Sequence, residues 1–207
     1  MATAIETQLI RDPRTDDVAK WFADHRAIFT TRDLADDTQW ELQTLYWGKP
    51  GTGMYSIRYV IMGPVLMVWG DLECAVYRWS SEISWEFLAG CDLQYFAGKC
   101  DASPKGRDYE DYDPRLALED LNEALKERDG EAYKRPSQTL VDEARNVVRY
   151  GEEDWREWIR TNGYDLFGDC WYEYVGDFGK RTAQTCLAHL LGIKMAVAQL
   201  TKREPPR

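Results

Sequence analysis

The middle of the chain alternates between short apolar runs and turn residues. Three runs rich in β-branched and aromatic residues cover positions 55–62, 65–69 and 72–79. Gly-Pro and Gly-Asp dipeptides separate these runs. Because a two-residue turn joins antiparallel strands and cannot form a parallel crossover, the pattern predicts an antiparallel meander of three to four strands within residues 39–79.

Apolar residues with helical spacing lie on both sides of the meander. Residues 16–29 carry Val18, Trp21, Phe22 and Ile28 at intervals near three or four, which predicts a leading helix. The same spacing, or a residue that can cap a helix, predicts further helices at 85–89, 93–97, 114–128, 139–150, 152–161 and 180–202.

These elements together predict an α+β fold: an N-terminal helix, an antiparallel three- to four-stranded meander and a mostly helical C-terminal half. We expect a single domain over residues 1–203 and a frayed tail at 204–207, which contains two prolines. The charged residues 101–113 are expected to form a loop, and Asn162-Gly163 is expected to end the helix before it.

The composition excludes a wholly disordered protein, because 44% of the 207 residues are hydrophobic. The 36 acidic and 26 basic residues give a net charge of −10, which argues against a free-standing binder of nucleic acid or of an anionic membrane. The charge is uneven, with −5 over residues 1–100, −7 over 101–165 and +2 over 166–207. No apolar run approaches the ~20 residues that cross a bilayer, so we predict a cytoplasmic protein.

The five cysteines and two histidines are scattered, without the paired spacing of a zinc site. We therefore expect reduced, buried thiols, and we predict no metal and no cofactor. His189 lies one helical turn from Cys186, and Cys170 lies in a segment rich in glycine and aromatic residues, 163–179. An imidazole can lower the pKa of a nearby thiol. Two interpretations of His189 therefore remain: a small enzyme with its site near Cys170 or His189, and a histidine hydrogen-bonded in the core.

The most distinctive polar segment interleaves carboxylates with tyrosines. It consists of Asp108, Tyr109, Glu110, Asp111, Tyr112 and Asp113. A second acidic group, Glu152, Glu153 and Asp154, opens a predicted helix. Carboxylates spaced like phosphates, beside tyrosines, can occupy a basic groove that normally holds nucleic acid. Both groups are candidate partner-binding residues; a solvated loop and stabilisation of the helix dipole are the plainer interpretations.

Three stretches of the chain, VWGDLECAVYRWS, WEFLAGCDLQYFAGKC and HLLGIKMAVAQL, resemble small accessory proteins of bacteriophages and prophages. The resemblance implies action in the host bacterial cytoplasm and carries no catalytic residues. It implies a non-enzymatic inhibitor of host defence, of the anti-CRISPR type. Such an inhibitor would bind a nucleic-acid-handling defence complex, for example a CRISPR effector, and would contact neither nucleic acid nor a membrane.

A further alternative is a phage structural or assembly protein. In that case the helix predicted at 180–202 would form a homodimer seam, because its apolar residues step by three or four along one stripe. Packing of the same stripe across the meander is the plainer interpretation.

Overall fold

A computed structural model describes residues 12–33, 41–107, 109–127, 137–172 and 177–202. The chain forms two compact units. The first takes in the described residues up to Tyr109 and those from Thr182 onward, and the second is Glu110–Arg181. The single domain over 1–203 stays a prediction, and the predicted tail at 204–207 lies outside the described residues.

The predicted α+β class is confirmed. The strands are β1 (Arg26–Asp33), β2 (Glu41–Gly48), β3 (Ile57–Met62), β4 (Val65–Gly70), β5 (Ala75–Arg78), β6 (Cys100–Ala102), β7 (Glu110–Tyr112) and β8 (Lys180–Thr182). The helices are α1 (Thr15–Trp21), α2 (Trp85–Gly90), α3 (Leu93–Ala97), α4 (Pro114–Glu127), α5 (Gln138–Val147), α6 (Glu152–Phe167) and α7 (Gln184–Thr201). The expected loop at 101–113 in fact contains the end of β6 and the whole of β7.

The predicted meander is present and is longer than expected. Strands β1 to β6 form one sheet in chain order, and each strand is antiparallel to its neighbour. Helix α7 packs on one face of this sheet, where the Tyr59 hydroxyl donates to the His189 carbonyl at 2.9 Å. The Lys194 ammonium, on the same helix, donates to the Ala89 carbonyl of α2 at 2.6 Å. The apolar stripe of the last helix therefore covers the meander.

The helix predicted over 16–29 is wrong in its second half. Helix α1 ends at Trp21, a turn follows, and the edge strand β1 begins at Arg26. Ala27 is buried, whereas Ile28 is 59% exposed, so the side chains alternate between faces as a strand requires. The spacing of apolar residues predicted that Ile28 belongs to the helix. In the structure it belongs to a strand, because it pairs with Tyr46 of β2.

Side-chain caps begin four of the predicted helices; at the start of α5, Ser137 accepts from the Leu140 amide at 3.2 Å. Ser84 accepts from the Phe87 amide at 3.1 Å, Asp92 from the Tyr95 amide at 2.7 Å, and Asp113 from the Arg115 amide at 2.9 Å. These short polar side chains satisfy amide donors that have no partner within the first turn.

The second unit is built on α4, α5 and α6, which enclose a separate core. This core contains Ala117, Leu121, Ala144, Val148, Trp155, Trp158, Ile159, Leu166 and Phe167. Helix α6 continues past Asn162-Gly163 instead of ending there. A Cβ at Gly163 would lie 2.6 Å from the Trp171 ring, so this glycine permits close packing and does not stop the helix.

Close packing also explains Gly192, which lies at the contact between α7 and the sheet. A Cβ there would overlap with the Tyr59 hydroxyl and lie 3.2 Å from Trp47 Cδ1. We expect Gly192→Ala to lower the free energy of unfolding by about 1–3 kcal/mol, as overpacked cores do. Chemical denaturation measures the change.

Gly90→Ala is the matched control, because it also places alanine in a helix but its Cβ would have no heavy atom within 4 Å. This variant should be neutral or up to about 1 kcal/mol more stable. Equal destabilisation by both substitutions would contradict the packing role of Gly192.

Candidate functional site

The structure does not present residues 109–113 as one exposed acidic surface. Tyr109 is fully buried in the first unit, and its hydroxyl lies 3.4 Å from Glu73 Oε2. Desolvation raises the pKa of Tyr109. Tyr109 was predicted to contact a partner, and this position leaves it no surface for doing so. Asp108 lies outside the described residues.

Asp113 is 8% exposed and has a structural role in the second unit. Its carboxylate pairs with the Arg181 guanidinium at 2.6 Å and also caps α4. The negative charge is therefore compensated within the chain. As a predicted partner contact, Asp113 is corrected to a capping and pairing residue, because a buried carboxylate needs such a partner.

The other residues of the segment differ in exposure. Glu110 is exposed and lies 3.8 Å from the Lys180 ammonium, and Asp111 is half-buried. Tyr112 is half-buried, with its hydroxyl 3.5 Å from the Val148 carbonyl, and burial raises its pKa. Of the six predicted residues, the structure exposes only Glu110 among those it describes.

The second predicted group is better placed. Glu152 is half-buried and pairs with Arg156 at 2.6 Å. Glu153 and Asp154 are exposed, and neither has a basic side chain of the described residues within ion-pairing distance. Their carboxylates lie in the first turn of α6, where they also complement the helix dipole.

The solvent side of α6 extends this group along the helix. Three further residues belong to it: Glu157, which pairs with Arg160, and the exposed Tyr164 and Asp165. Tyr150, just before the helix, is 76% exposed, and Tyr164 is 63% exposed. We call these residues the α6 acidic face: Tyr150, Glu153, Asp154, Glu157, Tyr164 and Asp165.

Sequence reasoning missed part of this face because it ended the helix at Gly163. Residues 153, 157, 160 and 164 follow the spacing of one helical stripe. The periodicity of Trp155, Ile159 and Leu166 on the buried side continues past the glycine. That continuing pattern was the available signal.

The two units carry very different charges. The second unit has 19 acidic and 11 basic residues, a net charge of −8 in 72 residues. The remaining residues of the chain carry 17 acidic and 15 basic side chains, a net charge of −2. The acidity of the chain is therefore mainly a property of Glu110–Arg181.

His189, the alternative catalytic candidate, is enclosed in the core of the first unit. Its Nε2 lies 2.8 Å from the Leu72 carbonyl, which can only accept, and its Nδ1 lies 3.0 Å from the Tyr77 hydroxyl. These partners suit a neutral ring that donates through Nε2 and accepts at Nδ1. Burial lowers the pKa of His189 to about 4.

Cys186, one helical turn from His189, is in an environment that does not favour nucleophilic chemistry. Cys186 is fully buried, with Sγ 3.6 Å from the Tyr77 hydroxyl. Burial raises the pKa of Cys186 to about 12. A nucleophilic cysteine needs the opposite shift. The side chain of Cys170 lies outside the described residues.

Within the described part of the chain, no group of three or more histidine, cysteine, aspartate or glutamate side chains is arranged to hold a metal ion. No described helix has both the length and the apolar character that crossing a bilayer requires. Comparison of the chain with protein-family models, curated proteins and solved structures gives no match.

The buried imidazole makes the stability of the protein depend on pH. Between pH 6.5, the ordinary pKa, and about pH 4, the unfolded state binds a proton at His189 that the folded state does not. Stability should therefore fall as the pH falls through this window, by up to about 1.4 kcal/mol per pH unit from this group. Urea denaturation between pH 4 and 7 measures the slope.

His189→Gln removes the titrating group, so its stability should change less steeply over the same window. The variant should also be less stable at pH 7, because the amide replaces the ring in a close-packed site. An unchanged slope would contradict burial of a neutral imidazole.

Proposed function

We propose that this chain is a non-enzymatic inhibitor of the anti-CRISPR type, which binds a nucleic-acid-handling protein complex of bacterial defence. Its binding surface is the α6 acidic face, with Glu110 as a further contact. The inhibitor acts by occupying a basic groove that otherwise holds nucleic acid, in the bacterial cytoplasm.

The observation that carries this proposal is the concentration of negative charge in the second unit. Its net charge is −8, against −2 for the rest of the chain. Glu153, Asp154 and Asp165 are exposed, with no basic side chain of the described residues within ion-pairing distance. Carboxylates that are not compensated within the chain are available to the lysines and arginines of a partner.

The chemistry of such a contact follows from general electrostatics. An acidic surface speeds the approach of a basic partner and suppresses wrong encounters, and the gain falls as salt rises. Tyr150 and Tyr164 add large, rigid contact area beside the carboxylates, and tyrosine is enriched in the centres of protein interfaces. The α6 acidic face therefore combines charge with contact area.

The class of partner is supported by the resemblance of three sequence stretches to phage accessory proteins. The alternative functions have less support from the positions of their residues. His189 is buried and hydrogen-bonded, so it offers a substrate no access. Helix α7 is buried around most of its circumference from Cys186 to Ala196, which leaves little surface for a dimer seam.

An interference assay in bacteria tests the proposal. Cells with an active CRISPR system are challenged with a targeted phage, with and without expression of this chain. Wild type should restore plaque formation, and Glu153→Lys/Asp165→Lys should lose at least tenfold of that effect, because the reversed charges repel a basic groove. Binding to the captured effector should weaken as NaCl rises from 50 to 500 mM.

Glu82→Lys/Glu86→Lys is the matched control: it changes the net charge equally, and Glu86 opens α2 as Glu153 opens α6. This variant should keep the wild-type effect. If expression of the wild type leaves CRISPR interference unchanged, the inhibitor proposal is refuted. If both double variants lose the effect on plaque formation equally, the assignment of the binding surface is refuted.

A further inference from the structure

Over the described residues, the face of the β1–β6 sheet opposite α7 carries exposed side chains and has an unusual composition. Cross-strand pairing places Ile28, Tyr46, Arg58 and Trp69 in one row on this face. Ile28 is 59% exposed and Trp69 is 42% exposed. The Arg58 guanidinium lies over the Tyr46 ring, 5.3 Å from its centroid.

The next two rows of the same face are mainly aliphatic. Val60 is buried in these rows, and their half-buried apolar members are Leu42, Met62, Val65, Met67 and Val76. A sheet face that stays in water usually alternates charged and polar side chains. Here the centre of the face is apolar across four strands.

Four arginines lie on this face over the described residues, and Asp101 of the edge strand β6 brings a carboxylate to one of them. Arg26 and Arg32 lie on β1, Arg58 on β3 and Arg78 on β5. Arg78 pairs with Asp101 at 3.1 Å, whereas the other three have no described carboxylate within ion-pairing distance. This contrasts with a chain in which acidic residues outnumber basic ones by 36 to 26.

We propose that this open sheet face, which we call the arginine face, is a docking surface for an acidic amphipathic segment of a partner protein. Tryptophan, tyrosine, methionine and arginine are enriched at the centres of protein interfaces, and lysine, aspartate and glutamate are depleted. The segment's apolar side chains would cover Met67 and Trp69, and its carboxylates would pair with Arg26 and Arg58.

A second copy of this chain is a poorer occupant. Two copies packed face to face would place arginines against arginines, and like charges across an interface are costly. The area is also small: six strands about 4.8 Å apart and about 20 Å long cover roughly 500 Å², below the about 800 Å² per partner of a stable interface. A single docked segment fits that area.

Single-stranded nucleic acid is also disfavoured by the arrangement of side chains. Sheet surfaces that bind it offer several open aromatic rings for base stacking. On the arginine face Arg58 already covers the Tyr46 ring, and aliphatic side chains fill the neighbouring rows. Trp69 alone offers an open ring among the described residues of this face.

Peptide selection on the intact chain tests the proposal without a known partner. Random 16-residue peptides displayed on phage are selected against the full-length protein, and recovered peptides are measured by fluorescence anisotropy. We expect enrichment of peptides that combine apolar residues with aspartate or glutamate. Their Kd should rise at least tenfold for Arg26→Glu/Arg58→Glu and for Trp69→Ala.

The matched controls are Arg115→Glu/Arg149→Glu, which reverses two exposed arginines of the second unit, and Tyr172→Ala, which removes an exposed ring there. Both should bind the peptides as wild type does, and circular dichroism confirms that every variant folds. None of these variants changes a residue of the α6 acidic face. A negative result in the peptide experiment therefore refutes only the arginine face, and the inhibitor proposal is tested separately by the interference assay.

Three results would overturn the arginine face as an acidic docking site. The first is recovery of no peptide, or of peptides that bind all variants equally. The second is binding of a labelled 12-nucleotide oligothymidine to wild type, if this binding is lost in Arg26→Glu/Arg58→Glu. The third is a concentration-dependent dimer in sedimentation equilibrium that Trp69→Ala abolishes.

Discussion

The first unit depends on the contact between α7 and the inner face of the β1–β6 sheet. Buried Tyr59 reaches α7 through a hydrogen bond to the His189 carbonyl. Gly192 allows the helix backbone to approach Tyr59 and Trp47. The interior around this contact is closely packed. Within it, the His189 ring is hydrogen-bonded to the Tyr77 hydroxyl and the Leu72 carbonyl.

This packing leaves the two faces of the sheet with different roles. The inner face is covered by α7. The outer face exposes Ile28, Trp69 and three arginines that have no described carboxylate within ion-pairing distance. Such a surface is retained in water only at a cost, since exposed apolar patches promote association. The arginine face and the α6 acidic face carry opposite charges in different units of the chain, so each would select a different class of binding surface.

Charge segregation is the other organising feature of the protein. The carboxylates predicted as a single decoy segment are divided by the fold between cores and surface. Asp113 is neutralised by Arg181, and Tyr109 belongs to the core of the first unit. Among the predicted contact residues, the exposed carboxylates with no described basic side chain within ion-pairing distance are Glu153 and Asp154 of α6. The proposed mimicry of nucleic acid therefore depends on one helix and its flanking tyrosines, and less on the tyrosine-rich segment.

Local chemistry in the sequence determined the α+β class, the central strands and the helix starts at Ser84, Asp92 and Asp113, because turns and caps act over a few neighbouring residues. It also determined the overall acidity. Only tertiary structure decided that residues 26–33 form a strand, since a partner strand must supply the hydrogen bonds. Tertiary structure likewise decided which carboxylates stay free, because burial and ion pairing join residues far apart in the chain, as Asp113 and Arg181 show.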